Sequence, residues 1–371
     1  MKFFHLSDLH LGRRIFEFSL IDDQQYILDR IIGRVAEEKP DAVVIAGDIY
    51  DRQMPSVEAV QLFDDFLTRI SALGVKLLIA SGNHDSPERL AFGGRLMSSS
   101  GVYIAGAFDG NPAKITLQDH YGEVNFWLMP FIKPATIRKF FPEAEIADTK
   151  DAVKLIIGSL PLDESKRNVL IAHQFVTGAE RSESEEASVG GSDNVDSEIF
   201  ARFDYTALGH IHRPQSISPT IRYCGSPLKY SFSEAPFAKS ITMVELAEKG
   251  RAEITLIPLN PLHEMRELKG KFGDLTIPDR YEKLKNDYIH IILTDEEDIP
   301  DAAAKLRLCY PGLMKLSYDN TRTRSEVEIE SAVDERTPLE LFSDFYAAQN
   351  GHEMSPEQLE FMKEMIGGIF E

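Results

Sequence analysis

Residues 79–90, IASGNHDSPERL, carry an apolar β-like run into Gly82 and then spend Asn83, His84 and Asp85 in succession on polar groups. An ordinary turn uses an Asn or an Asp for its backbone geometry and has no need of a histidine between them. The stretch therefore reads as a strand ending in a site, and the partners of that site must come from elsewhere in the chain.

Three other fragments share this grammar: HLSDLHLG (5–12) with Asp8 and His10, VVIAGDIYD (43–51) with Asp48, and ALGHIHRP (207–214) with His210 and His212. His173 in VLIAHQF (169–175) follows a further apolar run. Residues two apart on an extended chain project to one side, so Asp8 and His10 could grip one ion together, as could His210 and His212. Gly47, Gly82 and Gly209 would let the backbone turn sharply and approach the cluster closely. Taken singly, each fragment is an ordinary turn. Their conjunction at the ends of strands, where open α/β sheets place their ligands, points to a metal site.

Working outward, strand patterns at 2–7, 42–46 and 75–80 alternate with helical patterns at 21–38 and 57–73, which predicts α/β layering with crossover helices. Further strands are expected at 124–129, 168–173, 205–208, 221–224, 240–245 and 253–257. The Ser-, Glu- and Gly-rich run at 178–194 reads as a mobile surface loop. Past residue 265 the texture changes to a strand at 287–294, a helix at 301–309 and a strand at 313–318. Thr337-Pro338-Leu339-Glu340 and Ser355-Pro356-Glu357-Gln358 are helix-start signatures, each a capping box with proline at the first helical position.

The chain has 371 residues, 43% of them apolar, which suffices for two or three domains with real cores. Two cysteines, Cys224 and Cys309, supply neither a disulfide framework nor a thiolate metal site. No signal-peptide core and no membrane-length apolar run occurs, so the expected location is the cytoplasm, away from membranes. A formal charge of −20 argues against a protein that coats nucleic acid through its own net field. Bound divalent cations can invert that field locally.

The fragments resemble the calcineurin-like metallophosphoesterases, whose pattern is D-x-H, G-D, G-N-H-D/E, H and G-H-x-H. MKFFHLSDLHLGR (1–13), GDIYDRQMPS (47–56), SGNHDSPERL (81–90), YTALGHIHRPQ (205–215) and YCGSPLKYSFSE (223–234) look more closely like the SbcD branch of bacterial double-strand-break repair nucleases. The resemblance covers about residues 1–260 by motif and the remainder by layout. It implies a β-sandwich flanked by helices, in four layers α/β/β/α, over residues 1–265. A small α+β DNA-capping domain over 266–330 and partner-binding helices over 331–371 would follow.

The resemblance also implies a two-metal centre. Asp8, His10, Asp48 and His212 would hold one ion, while Asp48, Asn83, His173 and His210 would hold the other. Manganese is the family metal, and the carboxylate, amide and imidazole donors could accept Fe²⁺ or Zn²⁺. His84 follows the ligand Asn83 and can face the substrate as general acid, with Asp85 orienting His84 or its loop. Asp51 stays open between a partner of a metal-binding histidine and a turn residue. His5, His120, His263, His290 and His352 lie outside the motifs, and Arg13 and Arg14 could touch a phosphate backbone or form a plain surface pair.

The activity implied is 3′–5′ double-strand exonuclease and single-strand endonuclease action on DNA ends and hairpins, in repair, recombination and replication. The implied partner is an SMC-like ATPase of the SbcC type, bound to a homodimer within a heterotetramer. Residues Leu359, Met362, Ile366 and Ile369 fall at helical spacing and suit either docking on such a partner or packing on their own domain. A small-molecule phosphodiesterase or nucleotidase and a non-catalytic scaffold are the competing classes, and the scaffold would be expected to lack ligands that this chain retains.

Overall fold

The computed structural model of the chain describes residues 1–185, 194–321 and 352–367, together with 339, 342, 343 and 345–347. The expected helix start at Thr337, the second half of the 178–194 loop and much of the 331–371 segment lie outside the described residues. The chain divides into two compact units, Met1–Met265 and Arg266–Glu371.

In the first unit the alternation at the N-terminus becomes one of two six-stranded sheets. Strands Lys2–Leu6, Ala42–Ala46, Lys76–Ala80 and Val102–Ala105 run parallel, and Lys239–Leu246 and Ala252–Leu259 extend the sheet antiparallel on the Lys2–Leu6 side. The second sheet has Arg167–His173 at its centre, parallel to Gly122–Met129 and Tyr205–Gly209, with Ile221–Tyr223 parallel beyond the latter. Ala113–Asp119 and Gln215–Ser218 close its edges antiparallel.

The near-continuous apolar runs of these strands follow from burial on both faces. Along Gly122–Met129, Phe126 and Leu128 turn inward onto Phe3, Val44, Leu78, Val169 and Ile171 between the sheets. Trp127 and Met129 point the other way, into a second core with Leu170, Ala172, Val153 and Ile157. Val153 and Ile157 lie on helix Thr149–Ser159, whose N-cap Asp148 accepts the Asp151 N–H at 2.9 Å. On the far side of the first sheet, helix Val57–Ala72 packs on strand Lys76–Ala80 and against helix Ile21–Glu38. The result is the α/β/β/α layering.

The shared direction of the central strands matters for function. Lys2–Leu6, Ala42–Ala46, Lys76–Ala80, Arg167–His173 and Tyr205–Gly209 all deliver their carboxyl ends to loops that converge. Pairing continues past the first two strands, through Asp8 N–H to Gly47 O at 3.0 Å and His10 N–H to Asp48 O at 3.0 Å.

The second unit is built on strands Met265–Gly270, Tyr288–Leu293 and Leu313–Tyr318. The last two are parallel, with helix Ala302–Cys309 between them in sequence, over a core of Leu275, Ile289, Ile291, Leu306 and Tyr310. Helix Pro356–Gly367 opens with the reciprocal bonds of a capping box, Ser355 N–H to Gln358 Oε1 at 2.9 Å and Gln358 N–H to Ser355 Oγ at 3.3 Å. Among the described residues no helix is long and apolar enough to cross a membrane.

Candidate metal centre

Close backbone approach is the first condition of the site. A Cβ on Gly82 would lie 2.1 Å from Asp48 Oδ1, and one on Gly209 would lie 1.8 Å from the Ala46 carbonyl oxygen. Only glycine fits there. Gly47, at φ +87°, also takes the left-handed turn that brings the chain under the His173 ring.

The chain accepts strain at the same place. Asp8, His10, Asp48 and His210 have φ of 53°, 44°, 52° and 98°. Among the described residues only Phe16, Lys39 and Asp301 share this region without being glycine. Such conformations cost on the order of 1–3 kcal/mol each, and they concentrate where surrounding structure and function demand them.

All seven expected ligands come together. His10 Nε2 and His212 Nε2 face each other at 3.1 Å, and Asp8 joins them with all three ligand atoms within 4.8 Å. Asn83 Oδ1 lies 3.0 Å from His173 Nε2 and 3.1 Å from His210 Nδ1. Asp48 stands between the two groups, with Oδ2 3.2 Å from His173 Nε2 and 3.7 Å from His10 Nε2.

The outer hydrogen bonds decide which ring nitrogens face inward. His173 Nδ1 donates to the Ala46 carbonyl at 2.7 Å, which turns its Nε2 inward toward Asp48 and Asn83. His212 Nδ1 meets Ser184 Oγ at 2.7 Å and Glu234 Oε1 at 3.3 Å, so its Nε2 lone pair is aimed at the His10 ring. Acceptors turned toward one another inside a protein are costly unless a cation or proton lies between them. This convergence, with two carboxylates and no thiolate, fits divalent cations.

Charge and burial agree. Burial raises the Asp8 carboxyl, with Asp48 adding to the rise against the opposing pull of His173 and His212. For His173, burial disfavours the charged ring, yet Asp48 more than offsets it and raises the group to about 9. Burial lowers His210 to about 3 and His10 well below its ordinary value. The cluster without a cation thus shares a proton between Asp48 and His173, where a metal ion would displace it.

Beside the centre, His84 N–H donates to Asp48 Oδ1 at 2.9 Å, and its ring Nδ1 lies 2.9 Å from the Asp51 carbonyl oxygen. That bond leaves Nε2 for the cleft lined by His84. One ring nitrogen of His84 also falls within 4.8 Å of donor atoms of His10 and Asp48. Asp85 binds its own loop, accepting N–H groups of Gly82 at 2.9 Å, Tyr50 at 3.0 Å and Ile49 at 3.2 Å. These bonds tie its carboxylate to backbone donors, so its work is to hold the loop. Asp51 pairs with Arg13 at 2.9 Å and lies 3.8 Å from His10 Nδ1, while its carbonyl orients His84.

Other histidines are elsewhere employed. His5 bonds Tyr205 Oη at 3.0 Å and the Leu208 carbonyl at 3.1 Å, and burial lowers it to about 3. His263 pairs with Asp23, and His290 with Glu267. Burial pushes the Cys224 thiol up, which keeps it protonated against Ser7 Oγ at 3.0 Å.

Sequence reasoning missed Glu234 and Lys239. Both are buried, and their ion pair of 2.6 Å backs His212, with Lys239 Nζ also donating to the His212 carbonyl at 2.7 Å. They stand five residues apart across a short turn, a spacing that carries no pairing signal, although Glu234 closes the motif YCGSPLKYSFSE. The run at 178–194, expected as a mobile loop, folds back in its described part: Glu185 Oε1 accepts the His212 N–H at 2.6 Å.

Residues 1–214 match the calcineurin-like phosphoesterase family, and residues 261–350 match the type 5 capsule protein repressor C-terminal domain. The SbcD component of the nuclease SbcCD from Staphylococcus epidermidis is 32% identical over 380 residues, spanning 100% of this chain and 99% of that one. Its counterpart from Staphylococcus saprophyticus is 33% identical over 382 residues, with the same coverage. A solved dimetal phosphatase from Danio rerio aligns with 70% of this chain and 99% of its own, at 12% identity and a TM-score of 0.41. Matched over its whole length by these nuclease components and over its first 214 residues by the phosphoesterase family, the chain belongs to the calcineurin-like phosphoesterases and, within them, to the SbcD nucleases.

Proposed function

We propose that this metal-dependent phosphodiesterase holds two Mn²⁺ ions and cleaves DNA at double-strand ends and hairpins. Asp8, His10, Asp48 and His212 would hold one ion, and Asp48, Asn83, His173 and His210 the other; Fe²⁺ or Zn²⁺ would fit the same donors. When bound, such a pair polarises phosphoryl oxygens and lowers the pKa of a water molecule to yield a nucleophile. The observation that carries this reading is the convergence of buried carboxylate, amide and imidazole groups on Asp48, with His10 and His212 opposed at 3.1 Å.

The chain's own residues supply the rest. The Asp51 carbonyl fixes the His84 ring through Nδ1, so that Nε2 can carry a proton to the leaving oxygen. Asp85 keeps the Gly82–His84 loop rigid through three backbone donors. Glu234 holds the imidazole of His212 and raises its basicity as a ligand.

The assembly proposed is a homodimer within a heterotetramer with an SbcC-type SMC-like ATPase, acting in DNA repair, recombination and replication from the cytoplasm. Support comes from the staphylococcal relatives, which are named as one component of the SbcCD nuclease. Two apolar surfaces also await partners. Met54, Val57, Phe92 and Leu96 are exposed, and an Arg89 bond to the Gln53 carbonyl ties their two stretches together, which suits a second copy. Phe361 and Met365 are exposed on helix Pro356–Gly367, which suits the ATPase. The unit following Met265, with its strand–helix–strand plan, would cap the DNA.

The test is hydrolysis of linear duplex DNA by the purified chain in Mn²⁺ or Mg²⁺, beside an activated small phosphodiester, with metal content measured in parallel. His84→Gln should keep both metals and lose about 10²–10⁴-fold in turnover. Loss of metal in that variant would make His84 a ligand and remove the proton-donor role. Turnover of the small diester alone, with DNA untouched even beside the ATPase, would favour a small-molecule phosphodiesterase.

A further inference from the structure

The field of this chain is negative overall, at −20, yet the mouth of the metal centre is not. Arg13, Arg14, Arg52 and Lys133 face a single carboxylate, Asp51, around an open cleft of ≈ 600 Å³ that also contains His84. That carboxylate is already engaged, with Arg13 at 2.9 Å and Arg52 at 3.5 Å. Its backbone carbonyl holds the His84 ring. The remaining positive charge of the cleft has no counter-ion among these lining residues.

Part of this charge is pre-positioned. The Arg13 guanidinium lies 5.3 Å from the centre of the Tyr230 ring, and its side chain is 17% exposed. Arg14 is anchored by a bond to the Glu17 carbonyl at 2.6 Å, and Lys133 Nζ lies 5.9 Å from the Phe131 ring centre. Arg52, at 76% exposure, can reach outward. A cluster of cations held around a cleft in an acidic protein is a local field that concentrates anions.

We propose that this cleft binds the phosphate next to the scissile one, on the strand segment that departs on the His84 side. The assignment rests on His84 as proton donor to the leaving oxygen, since that role places the leaving segment in the cleft. Arg13 and Arg14 supply the floor contacts, and Arg52 and Lys133 close over the phosphate. A substrate with one phosphodiester and no neighbouring phosphate gains nothing from the cleft. The chain thus selects polynucleotides through residues outside the metal ligands.

The experiment uses the full chain with Mn²⁺ and three thymidine dinucleotides: unphosphorylated, 5′-phosphorylated and 3′-phosphorylated. Wild type should turn over one phosphorylated isomer with kcat/KM at least about tenfold above the plain dinucleotide, the gain expected of one charged contact. Arg52→Ala with Lys133→Ala should reduce that advantage to within about twofold, and Arg52→Lys should preserve most of it. In parallel, binding of a fluorescent thymidine oligonucleotide without turnover should lose about 0.7 from its log–log salt slope for each phosphate contact removed. An advantage that survives in the double variant, an unaltered salt slope, or equal rates for all three dinucleotides in wild type would overturn the proposal. Failure of the nuclease reading has another signature, namely wild type that cleaves an activated small diester but no oligonucleotide. The salt slope would then still report whether the cleft holds phosphates.

Discussion

Glu234 performs two jobs that a pair of substitutions can separate. Its Oε2 is 2.6 Å from Lys239 Nζ, and its Oε1 is 3.3 Å from His212 Nδ1. Both members of the ion pair are almost wholly buried, at 0% and 3% side-chain exposure. At 2.6 Å and an effective dielectric near 20, the Coulomb attraction is about 6 kcal/mol before desolvation is subtracted. Glu234→Gln leaves the Lys239 ammonium with Ser226 Oγ at 2.8 Å and the His212 carbonyl at 2.7 Å but no counter-charge. Breaking a buried pair from one side costs about 3–5 kcal/mol. For a unit of this size, that is a fall in Tm of about 10 °C.

Removing both charges with Glu234→Leu and Lys239→Met should return most of that stability, because no buried charge is left alone. It should not return metal affinity, since His212 Nδ1 then keeps only Ser184 Oγ as partner. A loss of about 10–100-fold is expected for removing such a carboxylate behind a metal-binding histidine. The assays are chemical denaturation of the metal-free chain and calorimetric titration with Mn²⁺. A double variant as unstable as Glu234→Gln, or one that binds Mn²⁺ like wild type, would refute the division of labour. The pH dependence follows the same pair. Burial opposes ionisation of Glu234, but Lys239 and His212 hold its carboxyl below the ordinary 4.5. Its stabilising contribution is therefore present above pH 4.5 and lost as pH falls through the lower folded value.

Gly82→Ala places a Cβ 2.1 Å from Asp48 Oδ1, so circular dichroism should stay native while bound metal is lost; Gly33→Ala, with nothing within 4 Å, should instead stabilise helix Ile21–Glu38 by about 0.5–1 kcal/mol. Stripping the metal with a chelator should lower Tm, and free Mn²⁺ at about a hundred times its Kd should restore about 2.7 kcal/mol; an unchanged Tm would mean that the cluster binds no ion. His5, lowered by burial to about 3, favours unfolding as pH falls from 6.5 toward 3, by about 1.4 kcal/mol per unit. His5→Gln should flatten that part of the stability–pH curve of the metal-free chain, and an identical slope would show that His5 is not the group that titrates.

Much of the site was legible because each proposed ligand had to follow a strand at once. Asp8, Asp48, Asn83 and His173 stand within three residues of the ends of Lys2–Leu6, Ala42–Ala46, Lys76–Ala80 and Arg167–His173. Parallel pairing then carries local spacing into a shared crevice without further information. Glu234 and Lys239 lacked that signature, since their value lies in burial against His212, which no local pattern encodes. The edge strands Ala113–Asp119 and Gln215–Ser218 went unread for a related reason: their mixed polar faces produce no continuous apolar run. Asp51 stayed ambiguous because its functional atom is largely the backbone carbonyl, and a side-chain name says nothing of that.

The strain at the centre lay furthest from what residue types reveal, and it bears on how the site works. Asp8, His10, Asp48 and His210 hold positive φ in a region that glycine occupies freely and that other residues enter at a cost, asparagine, aspartate and histidine most readily. A glycine in any of these places would relax the backbone but remove a carboxylate or an imidazole from the convergence. The chain keeps the costly residues, and hydrogen bonds hold the strained segments: His210 N–H to Asp8 Oδ1 at 3.0 Å, His84 N–H to Asp48 Oδ1 at 2.9 Å, and His10 N–H to Asp48 O at 3.0 Å. The first two of those bonds also spend carboxylate lone pairs on backbone donors, which fixes the direction of the lone pairs that remain. A cation entering the site would meet ligands already aimed and would not have to order them, so the strain stored in folding is recovered as pre-organisation for metal binding.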